Sequence, residues 1–292
     1  MRGSYHDVRP LARRMRERWR KWRSPPEDAS NVIGNIDPRE IAPDQTIRFR
    51  CNLCGTVTDA TLARLSRETR SCAGCGSTVR FRAMAHLLTR AICGRPTSLP
   101  DLAPRKDIVG IGLSDAAEYA FPLSQKFTYH NTWFHTEPRL DIASVDPTHF
   151  NRYDFMISSD VFEHVVPPVQ HAFANARRML KSNGVFIFTV PFTLDAETRE
   201  HFPELHEWSL AQRDDTWTLH NRTTDGRKQE FRDLVFHGGP GSTLEMRVFS
   251  RAALEAEFAR AGFSRVRIAS EPYLPFGIHW PEPWSVPMVA HA

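Results

Sequence analysis

No apolar run in this chain of 292 residues approaches the roughly 20 residues that span a bilayer. The N-terminus also lacks the apolar stretch of a secretory signal, so a soluble, cytoplasmic protein is expected. Cysteine is scarce, with five in all. That compartment requires them to serve some purpose other than a disulfide framework. The dinucleotide fingerprint G-x-G-x-x-G is missing too. After the apolar run Ile108–Ile111 and Gly112 come Leu113, Ser114, Asp115 and Ala116. A nicotinamide-dependent dehydrogenase, which needs that loop for its pyrophosphate, is therefore the poorest fit. Nor is there an aromatic stacking motif of the kind that binds single-stranded RNA.

What is present is uneven. The net charge is +4, yet residues 1–23 carry nine Arg or Lys against Asp7 and Glu17, a net of +7 that leaves the rest near −3. In this tail Val8, Leu11, Met15, Trp19 and Trp22 recur at helical spacing with arginines between them. A basic amphipathic helix of residues 1–25 is expected, followed by a proline-containing linker, 26–48. Its stripe suits docking on the protein itself or a second subunit, an anionic membrane surface, or nucleic acid. A peripheral membrane location is thus compatible with the tail.

Four of the five cysteines fall in two C-x2-C pairs, Cys51/Cys54 and Cys72/Cys75, each pair followed by a glycine, Gly55 and Gly76. Two such knuckles can place four thiolates around one tetrahedral Zn²⁺ at about 2.3 Å, with no position left for a substrate. A structural zinc-ribbon-like module over 49–80 is expected. A connecting helix and linker, 81–104, follows. Cys93 has no partner at useful spacing.

From Asp107 the pattern alternates, with strands expected at 107–112, 126–133, 153–158 and 185–190 and helices at 115–121, 167–180 and 250–261. This reads as an α/β domain, 105–292, with a largely parallel sheet. In such sheets ligands lie beyond the carboxyl ends of the strands. The residues that stand there are Gly110, Gly112, Ser114 and Asp115 after the first strand, Glu137 and Asp141 after the second, and Ser159, Asp160, Glu163 and His164 after the third. Glu163 and His164 are expected to open a helix, where an acid in the first turn is favourable in any case.

The run "YDFMISSDVFEHVVPPVQHAFANARRMLKSNGVFIFTVP" resembles the centre of a class I S-adenosylmethionine-dependent methyltransferase. It shows the strand end, the Asp-x-x-Glu-His run, the helix, and the turn Lys181-Ser182-Asn183-Gly184 into the next strand. "RVFSRAALEAEFARAGFSRVRI" resembles that family's late helix and strand. The resemblance covers about 107–275, interrupted by an insertion near 193–245. It implies a Rossmann-like, mostly parallel seven-stranded sheet with helices on both faces. It also implies S-adenosylmethionine as cofactor, held at Gly110, Gly112, Ser114, Glu137, Asp141, Ser159 and Asp160. Glu137, or Asn131 within the strand, takes the ribose hydroxyls, and Asp141 takes the adenine amino group. Gly110 stands where the family has an acid. S-adenosylmethionine has no phosphate to cradle, so small residues suffice in the loop.

Methyl transfer is an in-line displacement that needs alignment and shelter from water. A hydroxyl acceptor also gains from a base near neutral pKa. His164, Asp160 and His237, the last in the glycine-rich stretch "DLVFHGGPGST" after an expected hairpin at "TDGR", are the catalytic candidates. His201 and His206 have no metal-ligand spacing on a helix and are assigned to an acceptor lobe. The acceptor expected is a small molecule, a glycan or a lipid precursor. RNA is the weaker alternative: some rRNA guanine methyltransferases join a four-cysteine module to this fold, but here the domain is not basic and no Asn-Pro-Pro-aromatic motif occurs. A non-enzymatic adaptor on a degenerate fold is the third reading.

Overall fold

The computed structural model describes residues 31–237 and 241–292; the basic stripe of residues 1–23 lies outside them. Two compact units make up the described chain. One comprises residues 31–106, 116–127 and 271–281, and the other 107–115, 128–270 and 282–292.

In the first unit β1 (Thr46–Arg50) and β2 (Val57–Thr61) form an antiparallel pair. Ile47 and Phe49 alternate inward and Thr46 and Arg48 outward, the period-two pattern of a half-buried strand. The loop between these strands carries Cys51 and Cys54. Helix α1 (Val79–Cys93) matches the expected connecting helix. It starts at Thr78, whose hydroxyl accepts from the Phe81 amide at 3.4 Å, and stops at Gly94 in the left-handed region. Arg82 on this helix is fully buried. It donates to Ser77 O at 2.7 Å, Ser71 Oγ at 2.9 Å and Gly277 O at 2.8 Å. It thereby ties the second cysteine turn to segment 271–281. Gly277 is needed at that contact, because a Cβ there would lie 2.6 Å from the Phe49 ring.

The alternating part of the chain begins with β3 (Arg105–Leu113), α2 (Ala117–Lys126) and β4 (Phe127–Thr132). It continues with β5 (Tyr153–Ser159), α3 (Gln170–Met179) and β6 (Leu180–Thr189). The insertion then supplies the two-residue strands β7 (Phe192–Thr193) and β8 (Arg199–Glu200). An antiparallel meander follows, of β9 (Glu207–Arg213), β10 (Thr216–Arg222) and β11 (Lys228–Phe231). Its β10–β11 turn falls at the expected Thr223–Arg227, closed by Thr223 N to Arg227 O at 2.9 Å. The chain ends with β12 (Arg247–Ser250), α4 (Arg251–Arg260), β13 (Arg265–Ile268) and β14 (Met288–His291).

The central sheet has the order β13-β14-β6-β5-β3-β4. Strands β3, β5 and β6 run parallel, and β14 is antiparallel to both β6 and β13. The parallel strands are continuous apolar runs, such as Val185–Phe188, because both faces are covered. Among the described residues the sheet holds six strands; seven are expected. Beside β4 the chain makes only one isolated bridge, Trp133 with Arg139. It then turns at Asp141, where the Ala143 amide bonds Oδ1 at 2.9 Å, and no further strand extends. The helix expected from 167 begins at Gln170, and Glu163 and His164 lie outside it in a single 3-10 turn, Phe162–His164. Pro167 and Pro168 explain the gap, since a residue before proline is pushed out of the helical region.

The core of this second unit is aromatic. Phe173 on α3 meets Phe162 at 4.9 Å, Phe258 at 5.1 Å and Phe188 at 5.9 Å between ring centroids. All four rings are fully buried. Phe173→Ala is expected to cost about 3–5 kcal/mol in urea unfolding, the price of an aromatic cavity. A loss below about 1 kcal/mol would show that the cluster is loosely packed.

Candidate active site and cysteine cluster

At the carboxyl end of β3 the two glycines have specific reasons. A Cβ on Gly110 would lie 2.0 Å from the Phe155 ring, and one on Gly112 would lie 1.9 Å from the Tyr129 hydroxyl and 2.1 Å from Asp115 Oδ2. The rings of Phe155 and Tyr129 stack at 5.8 Å over this strand. An acid at 110 has no room under Phe155. Asp115 is buried, and its carboxylate accepts from Tyr129 OH over Gly112.

Ser114 and Asp160, at the ends of β3 and β5, both adopt left-handed backbone with φ of 56° and 54°. Such positions cost about 1–3 kcal/mol each for a non-glycine residue and persist only where neighbours hold them. Here the Ser114 amide bonds Thr132 O at 2.7 Å and the Asp160 amide bonds Thr189 O at 2.8 Å. Thr189 Oγ1 also donates to Asp160 Oδ1 at 2.8 Å. Asn131 exchanges two bonds of 2.9 Å with the Asp115 main chain, so its side chain serves the turn after β3. Gly112, Ser114, Asp115, Asp160 and Thr189 are thus gathered at the carboxyl ends of adjacent strands β3, β5 and β6.

Glu137 lies elsewhere, in an exposed turn where Oε2 accepts from the Arg139 amide at 3.0 Å. Asp141 is half-buried and caps its own turn. Ser159 is half-buried at the last position of β5.

His164 and His237, 73 positions apart in the chain, meet edge to face at 4.9 Å. His164 Nδ1 lies 3.0 Å from Leu244 O, and burial holds its ring below the usual histidine pKa, hence neutral near pH 7. His164 Nε2 faces the buried Glu163 carboxylate at 3.8 Å. Glu245 bridges two rings, with Oε2 3.1 Å from His237 Nε2 and Oε1 2.8 Å from His201 Nε2. His201, which sequence reasoning places only in an acceptor lobe, therefore joins this network. His206 stands apart, its amide bonded to Asn221 Oδ1 at 2.9 Å.

One short segment holds the cluster. Besides the Leu244 and Glu245 contacts, Met246 N donates to Glu163 O at 2.8 Å. Arg247, fully buried, donates to Val165 O at 2.6 Å, Phe162 O at 3.1 Å and Glu200 Oε1 at 2.7 Å. Glu245 and Arg247 escaped sequence reasoning. Their one signal is alternation: Leu244 and Met246 enter the apolar core of the insertion with Phe202 and Leu219, which turns 245 and 247 the other way.

The four cysteines converge as expected. Their sulfurs all lie within 4.8 Å of one another, with Cys51···Cys75 at 3.7 Å and Cys54···Cys72 at 3.6 Å. A tetrahedron of Zn–S bonds of about 2.3 Å has edges of about 3.8 Å, so the set fits that ion. Matching turns present the sulfurs: Gly55 N bonds Cys51 O at 2.8 Å and Gly76 N bonds Cys72 O at 2.9 Å. Both glycines have positive φ, 85° and 70°. Hydrogen bonding to Cys51 pushes the thiols of Cys54 and Cys75 up, which a cation among them would reverse.

A family model described as a methyltransferase domain matches residues 74–268. No curated protein matches the chain. Similar solved structures include 1,6-didemethyltoxoflavin-N1-methyltransferase from Burkholderia thailandensis, with bound 1,6-didemethyltoxoflavin and S-adenosylhomocysteine. It is 15% identical, with 72% of this chain and 77% of that chain covered and a TM-score of 0.40. An S-adenosylmethionine-dependent methyltransferase from Mesorhizobium loti is 12% identical, covering 75% and 100%, with a TM-score of 0.44. The sugar N-methyltransferase KedS8 from Streptoalloteichus is 11% identical, covering 72% and 87%, with a TM-score of 0.41.

Arg247→Met is expected to lower stability by about 1–3 kcal/mol, because it leaves the Phe162 and Val165 carbonyls without their donor. Equilibrium unfolding of the variant gives the value. Stability within 1 kcal/mol of the parent would mean that the 162–165 turn does not depend on the clamp.

Proposed function

The chain belongs to the methyltransferase-domain family, and from that premise we propose that it transfers the methyl group of S-adenosylmethionine to a small-molecule, glycan or lipid-precursor acceptor. The observation that carries the reading is the match over 74–268, which spans every strand end of the candidate site. S-adenosylmethionine supplies an electrophilic methyl on a sulfonium, open to displacement by an aligned nucleophile. The residues at those strand ends suit that cofactor. Asp115 and Asp160 offer carboxylates to its cationic and hydroxyl groups, and Gly112 keeps the strand free of a side chain. Asp141 has one carboxylate oxygen committed to its own turn and the other for an adenine amino group.

On the acceptor side the chain offers His164, His237 and the Glu245–His201 pair. They line the acceptor's side and orient its hydroxyl or amine. The insertion supplies the acceptor's wall, with its own apolar core around Phe202, Leu219, Leu244 and Met246. The near −3 balance outside residues 1–23 favours this acceptor class over RNA, whose binding rests on phosphate neutralisation. The basic stripe of residues 1–23 suits an anionic membrane surface, where a lipid-linked precursor would be met. We assign a structural Zn²⁺ to Cys51, Cys54, Cys72 and Cys75.

Calorimetric titration with S-adenosylmethionine tests the central claim. The parent is expected to bind, and Asp115→Asn and Asp141→Ala each to weaken binding by about 1–3 kcal/mol. No binding to the folded parent would leave the adaptor reading. For the zinc, metal analysis is expected to give about one Zn²⁺ per chain, and Cys54→Ser or Cys72→Ser to lose it and fold poorly. A metal-free chain that stays fully folded would overturn the assignment.

A further inference from the structure

We propose that Glu163, His164 and His237 form a second metal site, for a divalent cation of the Mn²⁺, Fe²⁺ or Zn²⁺ class, with open coordination positions facing the acceptor. It rests on the methyltransferase reading for its purpose but not for its existence.

The donor set is the first ground. One carboxylate oxygen and two imidazole nitrogens lie within 4.8 Å of one another. An ion about 2.1 Å from each would draw such atoms together. Two histidines and one carboxylate, leaving the other positions free, is a recurring set for non-haem Fe²⁺ and its neighbours in the series. The set differs in kind from the cysteine cluster. Thiolates fill all four positions there, whereas nitrogen and oxygen donors here leave room for an exchangeable ligand.

The surroundings of the rings are the second ground. Metal-binding histidines almost always commit their other nitrogen to a carbonyl or carboxylate, which fixes the ring and its tautomer. His164 does so here, and His237 stands beside a carboxylate. His164 Nδ1 is held by Leu244 O at 3.0 Å, which turns Nε2 toward Glu163. His237 Nε2 lies 3.1 Å from Glu245 Oε2, at ion-pair distance. Glu245 is itself fixed by His201 at 2.8 Å. Glu245, His201 and the Leu244 carbonyl are thus positioning groups.

Burial is the third. The Glu163 side chain is 1% exposed, His164 is 12% and His237 is 38%. A carboxylate is expensive to bury as an anion, and a coordinated cation offsets that cost. The rising exposure gives the site one closed side and one open side, the latter toward His237. A hydroxyl or carbonyl oxygen of the acceptor would complete the shell there. The acceptor class narrows accordingly to molecules that carry a metal-binding oxygen.

The test uses the full chain with the cysteine site loaded with Zn²⁺, and Mn²⁺ as probe, because Mn²⁺ prefers nitrogen and oxygen donors and leaves thiolate-bound zinc in place. Free Mn²⁺ is followed by electron paramagnetic resonance. One Mn²⁺ per chain is expected to bind, with affinity reduced at least tenfold in Glu163→Gln and in His237→Ala. The His237 variant guards against misfolding of the buried one, since that ring is the most exposed ligand, and its melting temperature is read alongside. Unchanged binding in His237→Ala would overturn the site. So would a folded parent that takes up neither Mn²⁺ nor Co²⁺ beyond the metal held by the cysteines. S-adenosylmethionine affinity is measured on the same samples. Metal binding without cofactor binding would sink the methyltransferase reading alone, and the reverse would sink only this site.

Discussion

A buried guanidinium sets the order of the second unit. Arg247 is fully buried, and protein groups meet two of its nitrogens: Nη1 donates to Val165 O and Phe162 O and Nε to Glu200 Oε1, while Nη2 finds no hydrogen-bond partner. An arginine in that state is costly unless its geometry is satisfied. The 162–165 turn is therefore drawn to it, and with the turn come Glu163 and His164. The neighbours of Arg247 continue the effect: Met246 N holds Glu163 O, and Leu244 O holds His164. Four consecutive residues place a cluster whose other members are far away in sequence.

The first unit has a parallel device. Arg82 is buried among main-chain and hydroxyl acceptors, and it lies in the field of the four cysteine sulfurs. Burial alone lowers its affinity for a proton, and the thiolates raise it. A zinc-bound set of four thiolates carries net negative charge, so cation and cluster favour each other. Each unit thus uses one buried arginine to organise the polar groups around it.

The parts of this molecule legible in sequence are those encoded locally. The C-x2-C pairs, the strand at 153–159, the helix from Val79 and the hairpin at Thr223–Arg227 depend on neighbours within a few positions. The Gly110 and Gly112 loop was legible as a strand end but not in its reason, because the rings that demand glycine, Phe155 and Tyr129, belong to other strands. The histidine cluster was half legible. His164 and His237 stood out as chemistry-bearing residues, but their meeting depends on a long insertion closing back on a turn. Nothing near Glu245 or His201 announces that one carboxylate will serve two rings. The displaced helix start at Gln170 was legible in principle, since Pro167 and Pro168 carry that instruction.

Glu245 meets a ring with each oxygen, hydrogen-bonding His201 and lying 3.1 Å from His237, and those rings sit at opposite ends of the insertion. The excursion is therefore latched at its two ends by a single acid next to its return point. Exchange of this lobe between related chains would have to respect that latch. The transferable piece is the whole span from His201 through Arg247, with its matching turn at 162–165. A shorter graft would carry a new pocket wall but leave the histidines unheld. The insertion and the histidine rings that Glu245 meets thus form one structural unit.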